Sequence, residues 1–382
     1  MPQLGSRKSR KGCKRCKQRR VKCDEQIPCT RCVQRNEECS FQQLTPSSSS
    51  DTAADPALPA NSEEWILDLE LMHHYTANLH WLGARENIVH LWRHYIPQQA
   101  LKHPFLMHGL LALAALHVAY LRPVDSFKYL QSCDKHQAIA LQRFRSILSS
   151  PIDPQLADAL FALSATISLS SMARSCAAKE TATMDMDAVA ELFMLTKGIK
   201  NVIHLSYEQI KQGPLAEMLD QQAFAEGRNG HLPLSVLSRF AAIRSMMTTY
   251  GVDREALEHC QSALTELEEI YKYIAYFSPT VNIEIGGVSR WQVAVSMGYV
   301  RLIQALNPPA LVILAYYAAA ITAIRTAWYT QNWAEYVLRG ASQALNGDMQ
   351  HWLQWPMLQM QERMSELGVQ SPGLGKASND LS

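Results

Sequence analysis

The sequence contains no apolar stretch between Met1 and Lys11, so a secretory signal is not expected. It also lacks a clean run of about 20 apolar residues, the length a membrane span requires. The nearest approaches are Leu311–Ile324, which includes Thr322 and stops at Arg325, and Pro104–Leu121, which carries His108, Gly109 and His117. Both are expected as buried core helices, in a soluble chain with no membrane partner. No H-E-x-x-H pair, nucleophile elbow, phosphate-cradling glycine loop or local pair of catalytic carboxylates occurs. An enzyme is therefore not expected. Strand-like alternation is scarce, which leaves an all-α fold.

What is present is unevenly distributed. Hydrophobic residues make up 47% of the 382 positions and charged ones 19%, which suits a folded chain rather than a disordered one. The net charge of +1 conceals a basic head on an acidic body. Residues 1–45 hold 12 Lys and Arg against 4 Asp and Glu, leaving 24 against 31 for the remainder. Such a head is built to meet a polyanion. The expected organisation is a basic arm at 1–11, a cysteine module at 12–41, and a Ser/Pro/Ala-rich flexible linker at 42–62. A large helical body at 63–367 and a small, polar, disordered tail at 368–382 complete it.

Six of the nine cysteines fall in the pattern C-x2-C-x6-C-x5-C-x2-C-x6-C: Cys13, Cys16, Cys23, Cys29, Cys32 and Cys39. The unit C-x2-C-x6-C is used twice. Structural zinc takes four tetrahedral ligands and favours thiolates, especially where no signal peptide points to disulfides. Six thiolates give two zinc ions four ligands each only if two sulfurs bridge, so one binuclear cluster is expected. Its core carries a formal charge of −2, which surrounding Lys and Arg offset. A module of this size cannot fold on apolar burial, so the metal must supply the folding free energy.

The two halves differ in charge. Lys14, Arg15, Lys17, Arg19, Arg20 and Lys22 in the first half face no acidic neighbour, whereas Glu37 and Glu38 cancel Arg31 and Arg35 in the second. Arg20 matches Asn36 in the repeat, and Lys22 matches Glu38. Only the first half presents a consistently positive face to DNA. Arg19 and Arg20, at a short helix end, are expected to reach guanine O6 and N7. Lys14, Arg15, Lys17 and Lys22 are expected to contact phosphates or to neutralise the cluster.

The segment CKRCKQRRVKCDEQIPCTRCVQRNEEC (13–39) resembles the fungal Zn2Cys6 binuclear-cluster transcription factors over its whole length. The resemblance implies that Cys13 and Cys29 bridge the metals, that Arg19 and Arg20 read bases, and that CGG-type triplets are the half-sites. It further implies a turn at Ile27-Pro28, often cis. The chain departs from many members in having no heptad after the cluster, so a coiled-coil dimer there is not expected.

In the body, WILDLELMHHYT (65–76), HPFLMHGLLALAALHVAYL (103–121) and HQAIALQRFR (136–145) resemble the regulatory domain of the sterol uptake control subgroup, related to regulators of secondary-metabolite clusters. That resemblance implies an all-helical domain with an apolar pocket near its C-terminal end. Trp352, Trp355, Met357 and Met360 are candidate wall residues, although ordinary core is the commoner use of such a pattern, and the sequence assigns no ligand. The histidines at 73, 74, 103, 108 and 117 are expected as satisfied core or surface residues. Cys133, Cys176 and Cys260 are expected as buried thiols. Leu257, Cys260, Leu264, Leu267, Tyr271 and Ile274 form a stripe best read as intramolecular packing.

Together these features predict a nuclear, sequence-specific DNA-binding transcription factor for RNA polymerase II genes, with two Zn2+ per chain. Sterol or secondary-metabolite genes are its expected targets. Its partners would be double-stranded DNA and the transcription machinery, with a homodimer and an apolar small-molecule effector also admitted. The alternative is a zinc-dependent general nucleic-acid adaptor with a ligand-binding helical body.

Overall fold

The computed structural model describes residues 12–35, 37, 39–41, 62–78, 86–149, 153–177, 186–219, 221–251, 253–277, 283–324 and 327–366. The basic arm, nearly all of the linker and the C-terminal tail lie outside the described residues. The chain divides into two compact units, Met1–Ser62 and Glu63–Ser382. No strand occurs among the described residues.

The first unit carries two short helices, α1 (Lys14–Gln18) and α2 (Thr30–Val33). Its buried cluster is the six cysteines, and Phe41 is the apolar side chain packed against them. Val21, Ile27 and Val33 are exposed. Among its described residues this unit therefore has almost no hydrophobic core beyond the cysteines.

The second unit begins with α3 (Ser62–Ala77), α4 (Glu86–His90), α5 (Ile96–Lys102), α6 (Pro104–Leu121), α7 (Ser126–Leu148) and α8 (Ala157–Ala177). It continues with α9 (Met186–Gln212), α10 (Gln221–Gly227), α11 (Leu234–Thr249), α12 (Arg254–Phe277), α13 (Ile285–Ala294) and α14 (Met297–Gln304). The last elements are α15 (Pro308–Ile321), α16 (Trp328–Ala344), α17 (Gly347–Gln350) and α18 (Gln354–Glu366). A π-helical turn, Leu91–Tyr95, joins α4 to α5. Pro97 in the first turn of α5 has no N–H to donate, and its ring would crowd the Arg93 carbonyl in a continuous α-helix. The wider turn relieves that conflict.

Two helices, α6 and α15, are apolar on every side and so must be enclosed by protein. α6 lies between α7 and α8, while α15 packs on α12, α16 and α18. Pro104–Leu121 and Pro154–Arg174 are long and apolar enough to cross a membrane by length and composition, and 72% of each is buried inside the protein. Gly109 permits the close approach of α8, because an added Cβ would sit 2.6 Å from Leu163 Cδ1.

The apolar run expected as one helix over Leu311–Ile324 leaves the helix at Ile321, where α15 ends. After Ile321 the chain tightens, with Ala323 N–H bonding the Ala320 carbonyl and Ile324 N–H the Ile321 carbonyl, both at 3.0 Å. Ala327 then turns extended and α16 starts at Trp328. The segment has no Gly or Pro, so local sequence did not mark this break. The stripe on α12 is intramolecular: Cys260, Leu264 and Leu267 are fully buried in the core.

Polar side chains fasten α3 across the α6–α7 hairpin. Arg122 Nη1 donates to Glu70 Oε1 at 2.7 Å and to the Tyr129 hydroxyl at 2.8 Å, and Tyr129 donates to the same carboxylate at 2.9 Å. His74 Nε2 bonds His117 Nδ1 at 2.9 Å, and His108 bonds His136 through their Nδ1 atoms at 2.8 Å. His136 Nε2 also meets Asp68 Oδ1 at 3.1 Å. Burial, the largest influence, holds both His108 and His136 below the usual imidazole range. His74, His108 and His117 are thus hydrogen-bonded packing residues, in keeping with the absence of an H-E-x-x-H pattern around them.

Candidate metal centre and nucleic-acid interface

The two halves of the cysteine unit share a backbone pattern, although Cys29, unlike Cys13, makes no side-chain cap bond to its helix. Cys13 caps α1, its sulfur accepting the Cys16 N–H at 3.4 Å. Past α1, the Val21 N–H reaches back to the Cys16 carbonyl at 3.1 Å and the Arg20 N–H to that of Lys17 at 3.1 Å. This closes the helix in a Schellman turn, which requires a left-handed residue. Arg20 takes that conformation, with φ of 56°. At the matching place in the second half, the Glu37 N–H bonds the Cys32 carbonyl at 3.1 Å. The backbone N–H of Cys13 meets the Cys23 sulfur at 3.4 Å, and that of Cys29 meets the Cys39 sulfur at the same distance. The cysteine repeat is therefore a structural repeat. The Ile27-Pro28 bond joining the halves is cis.

The sulfurs converge as zinc ligands do. Cys13 Sγ lies 3.7 Å from Cys29 Sγ and 3.8 Å from Cys32 Sγ, and Cys16 Sγ lies 3.7 Å from Cys29 Sγ. Thiolates bound to one tetrahedral zinc at about 2.3 Å are separated by about 3.8 Å. A disulfide would need about 2.05 Å. The sulfurs of Cys13, Cys16, Cys29 and Cys32 all lie within 4.8 Å of one another. Burial, the leading cause, pushes the Cys16 thiol up to about 12 and raises Cys29 as well. A cation is what would hold such crowded sulfurs as thiolates, so the donor set fits Zn2+ in both distance and chemistry.

Lys14, Arg15, Lys17, Arg19, Arg20 and Lys22 are all exposed around this core. Arg19 is nevertheless occupied, because its Nη2 donates to Glu37 Oε1 of the second half. Sequence reasoning counted Glu37 only as a cancelling charge. It also missed Asp24, whose carboxylate accepts the Thr30 N–H at 3.0 Å and so serves the start of α2. Thr30, through its side chain and backbone, holds the Asp24 carboxyl below its usual range. No N-cap pattern marks Asp24 in the sequence, since Cys29 holds the N-cap position and folding brings the carboxylate to the helix start.

In the helical unit, a cavity of about 400 Å³ is lined by Trp92, Phe161, Met172, Phe224, Ile270 and Trp291 among others. Trp352 and Trp355 line a different hollow, of about 510 Å³, with Tyr316, Arg239 and several polar side chains. The Trp355 ring is already engaged there. Tyr316 stacks on it at 5.0 Å, and the Arg239 guanidinium sits 5.2 Å from its centroid. Met360 is buried core and Met357 packs against that core. Cys133 and Cys260 are buried thiols, each pushed up to about 12 by burial. The Cys176 side chain lies outside the described residues.

Similarity to known proteins falls on the same residues. Residues 11–48 match the fungal Zn(2)-Cys(6) binuclear cluster domain, which binds two zinc ions. A Zn(2)-C6 fungal-type transcription factor of Gibberella zeae is 23% identical over 437 residues, covering 93% of this chain and 86% of its own length. The Zn(2)-C6 fungal-type transcription factor afumD of Aspergillus fumigatus is 33% identical over 139 residues, 33% of this chain and 36% of that protein. Sterol uptake control protein 2 of Candida albicans is 32% identical over 141 residues, 36% of this chain and 19% of its own length.

Proposed function

We propose that this chain, with a fungal Zn(2)-Cys(6) binuclear cluster domain at its head, is a nuclear, sequence-specific DNA-binding regulator of RNA polymerase II transcription that reads CGG-type sites. The observation that carries the reading is the doubled cysteine unit bearing an exposed cationic face on one half only. Its domains are the basic arm, the cluster module, a linker, the helical body and a tail, with the boundaries expected above. Sterol or secondary-metabolite genes are the proposed targets, by likeness to relatives of those names.

In this reading all six cysteines ligate zinc, with Cys13 and Cys29 as the bridging pair. Support comes from the sulfur contacts, because Cys13 and Cys29 approach each other and each also approaches a second cysteine of the opposite half, Cys32 and Cys16 respectively. The ions supply cross-linking and charge, not turnover. The protein supplies the helix ends that carry Arg19 and Arg20 to base edges. Lys14, Arg15, Lys17 and Lys22 hold the phosphates.

Site selection from random DNA with the full-length protein tests the reading. A recovered CGG-type consensus supports it, and binding indifferent to sequence would favour the general nucleic-acid adaptor. Arg20→Ala is expected to relax the preference at one base pair at a cost of about 1–3 kcal/mol. Lys22→Ala is expected instead to weaken all sequences alike and to lower the slope of affinity against salt by about one. Equal effects of the two variants on every sequence would contradict the assignment.

The helical body is proposed to take an apolar small-molecule effector in the cavity beside Trp291. The cavity volume falls in the usual ligand range of about 300–1,000 Å³, and its wall combines aromatic and methionine side chains with the charged groups of Glu217, Glu266, Glu284, Arg228 and Arg290. Gly286 lies on that wall, and a Cβ built there meets no atom within 4 Å. Gly286→Leu should therefore fill the cavity without strain. The expected result is a several-fold loss of Nile red binding with melting temperature preserved or raised. Undiminished dye binding in that variant would count against this cavity as the site.

A further inference from the structure

Glu37 is the anomaly of the cluster module. It is a half-buried carboxylate placed beside a zinc–thiolate core whose formal charge is already −2, so module stability does not account for it. One of its oxygens, Oε1, pairs with Arg19, while Oε2 is buried and has no hydrogen-bond partner. The ion pair is substantially exposed, with 38% and 29% of the two side chains accessible, and such pairs contribute little to folding. Its placement is nonetheless fixed from both ends. Glu37 is tied by its N–H to the Cys32 carbonyl, and Arg19 by its N–H to that of Arg15, each at 3.1 Å. The pair thus spans the two halves of the repeat.

We infer that Glu37 is a positioning residue for DNA reading: its carboxylate orients the Arg19 guanidinium so that the remaining edge faces a guanine. The inference rests on the proposed DNA-binding function of this module. An arginine has five N–H donors in a planar fork, and the bond to Glu37 uses one, on Nη2. Two parallel donors remain for guanine O6 and N7. A free arginine loses side-chain entropy on binding, and an arginine already held by a carboxylate has lost part of it beforehand. The same negative charge repels phosphates, so it discourages binding to unrelated DNA. Arg20 has no such partner described, and its left-handed backbone sets its direction instead. The two adjacent arginines are aimed by different means.

The test compares full-length wild type, Glu37→Gln, Arg19→Ala and the double variant on the selected site and on a scrambled duplex, at two salt concentrations. Positioning predicts opposite shifts for Glu37→Gln. Affinity for the selected site should fall about tenfold, the scale of a lost bidentate contact, while affinity for scrambled DNA rises about two- to threefold. In the Arg19→Ala background the same change should no longer lower the preference. Zinc content, measured alongside, should stay at two per chain. A rise on both duplexes would make Glu37 a bulk-charge residue and overturn the inference, as would an undiminished effect in the Arg19→Ala background. Loss of zinc in Glu37→Gln would give it a purely structural role; Glu37→Asp, which keeps the charge, should then restore metal without restoring preference. If the wild-type protein prefers no sequence, the underlying functional reading fails first, and the variants are not needed to show it.

Discussion

Stripping zinc from the full-length protein with a chelator is expected to abolish DNA binding and to unfold residues 12–41 while leaving the helical circular dichroism of the body almost intact. Among its described residues the cluster module buries its cysteines and packs Phe41 against them, which leaves little apolar core there once the metal leaves. Structural zinc contributes about 10–16 kcal/mol at neutral pH, far more than two helices of five and four residues supply by themselves. The body has its own continuous core, from Leu71 to Met360, and makes no use of the cluster cysteines. Circular dichroism, zinc release and a gel-shift assay read the three quantities in one titration. Joint collapse of both units would refute their independence, and retained DNA binding after complete zinc loss would refute the metal's structural role.

Trp291→Ala is expected to destabilise the body by about 3–5 kcal/mol, the usual range for truncating a buried tryptophan. Trp291 is fully buried and donates its indole N–H to the Ala263 carbonyl at 2.8 Å. It stacks on Tyr317 at 4.2 Å and meets Phe193 and Tyr299 edge-on at 5.6 and 5.5 Å. Truncation opens a void among rigid rings and leaves a buried carbonyl without its donor. Trp291→Phe retains most of the ring contacts and should cost less, the remainder reporting the lost hydrogen bond. Urea unfolding of the body measures both. A loss below about 1.5 kcal/mol for the alanine variant would show that the aromatic cluster relaxes freely. The experiment also bears on the effector cavity, since Trp291 forms part of its wall.

The sequence by itself determined the cysteine module almost completely. There the stabilising contacts are metal bonds within one short module, so spacing is structure: C-x2-C-x6-C written twice brings sulfurs of the two halves to 3.7–3.8 Å of one another. Proline at the start of α6 and α15, and apolar residues on all their sides, likewise announced buried helices. The break at Ile321, the π turn before Pro97 and the short helices α10, α13 and α14 were not announced, because they answer to packing against distant neighbours rather than to local signals. Tertiary structure alone decided who partners whom: His108 with His136, Trp291 with Tyr317, and the cavity between helices far apart in the chain. It also decided the use of Glu37. In the sequence that residue reads as a charge subtracted from a basic face; folding brings it to Arg19 because two halves wrapped on one metal core set side chains 18 residues apart against each other.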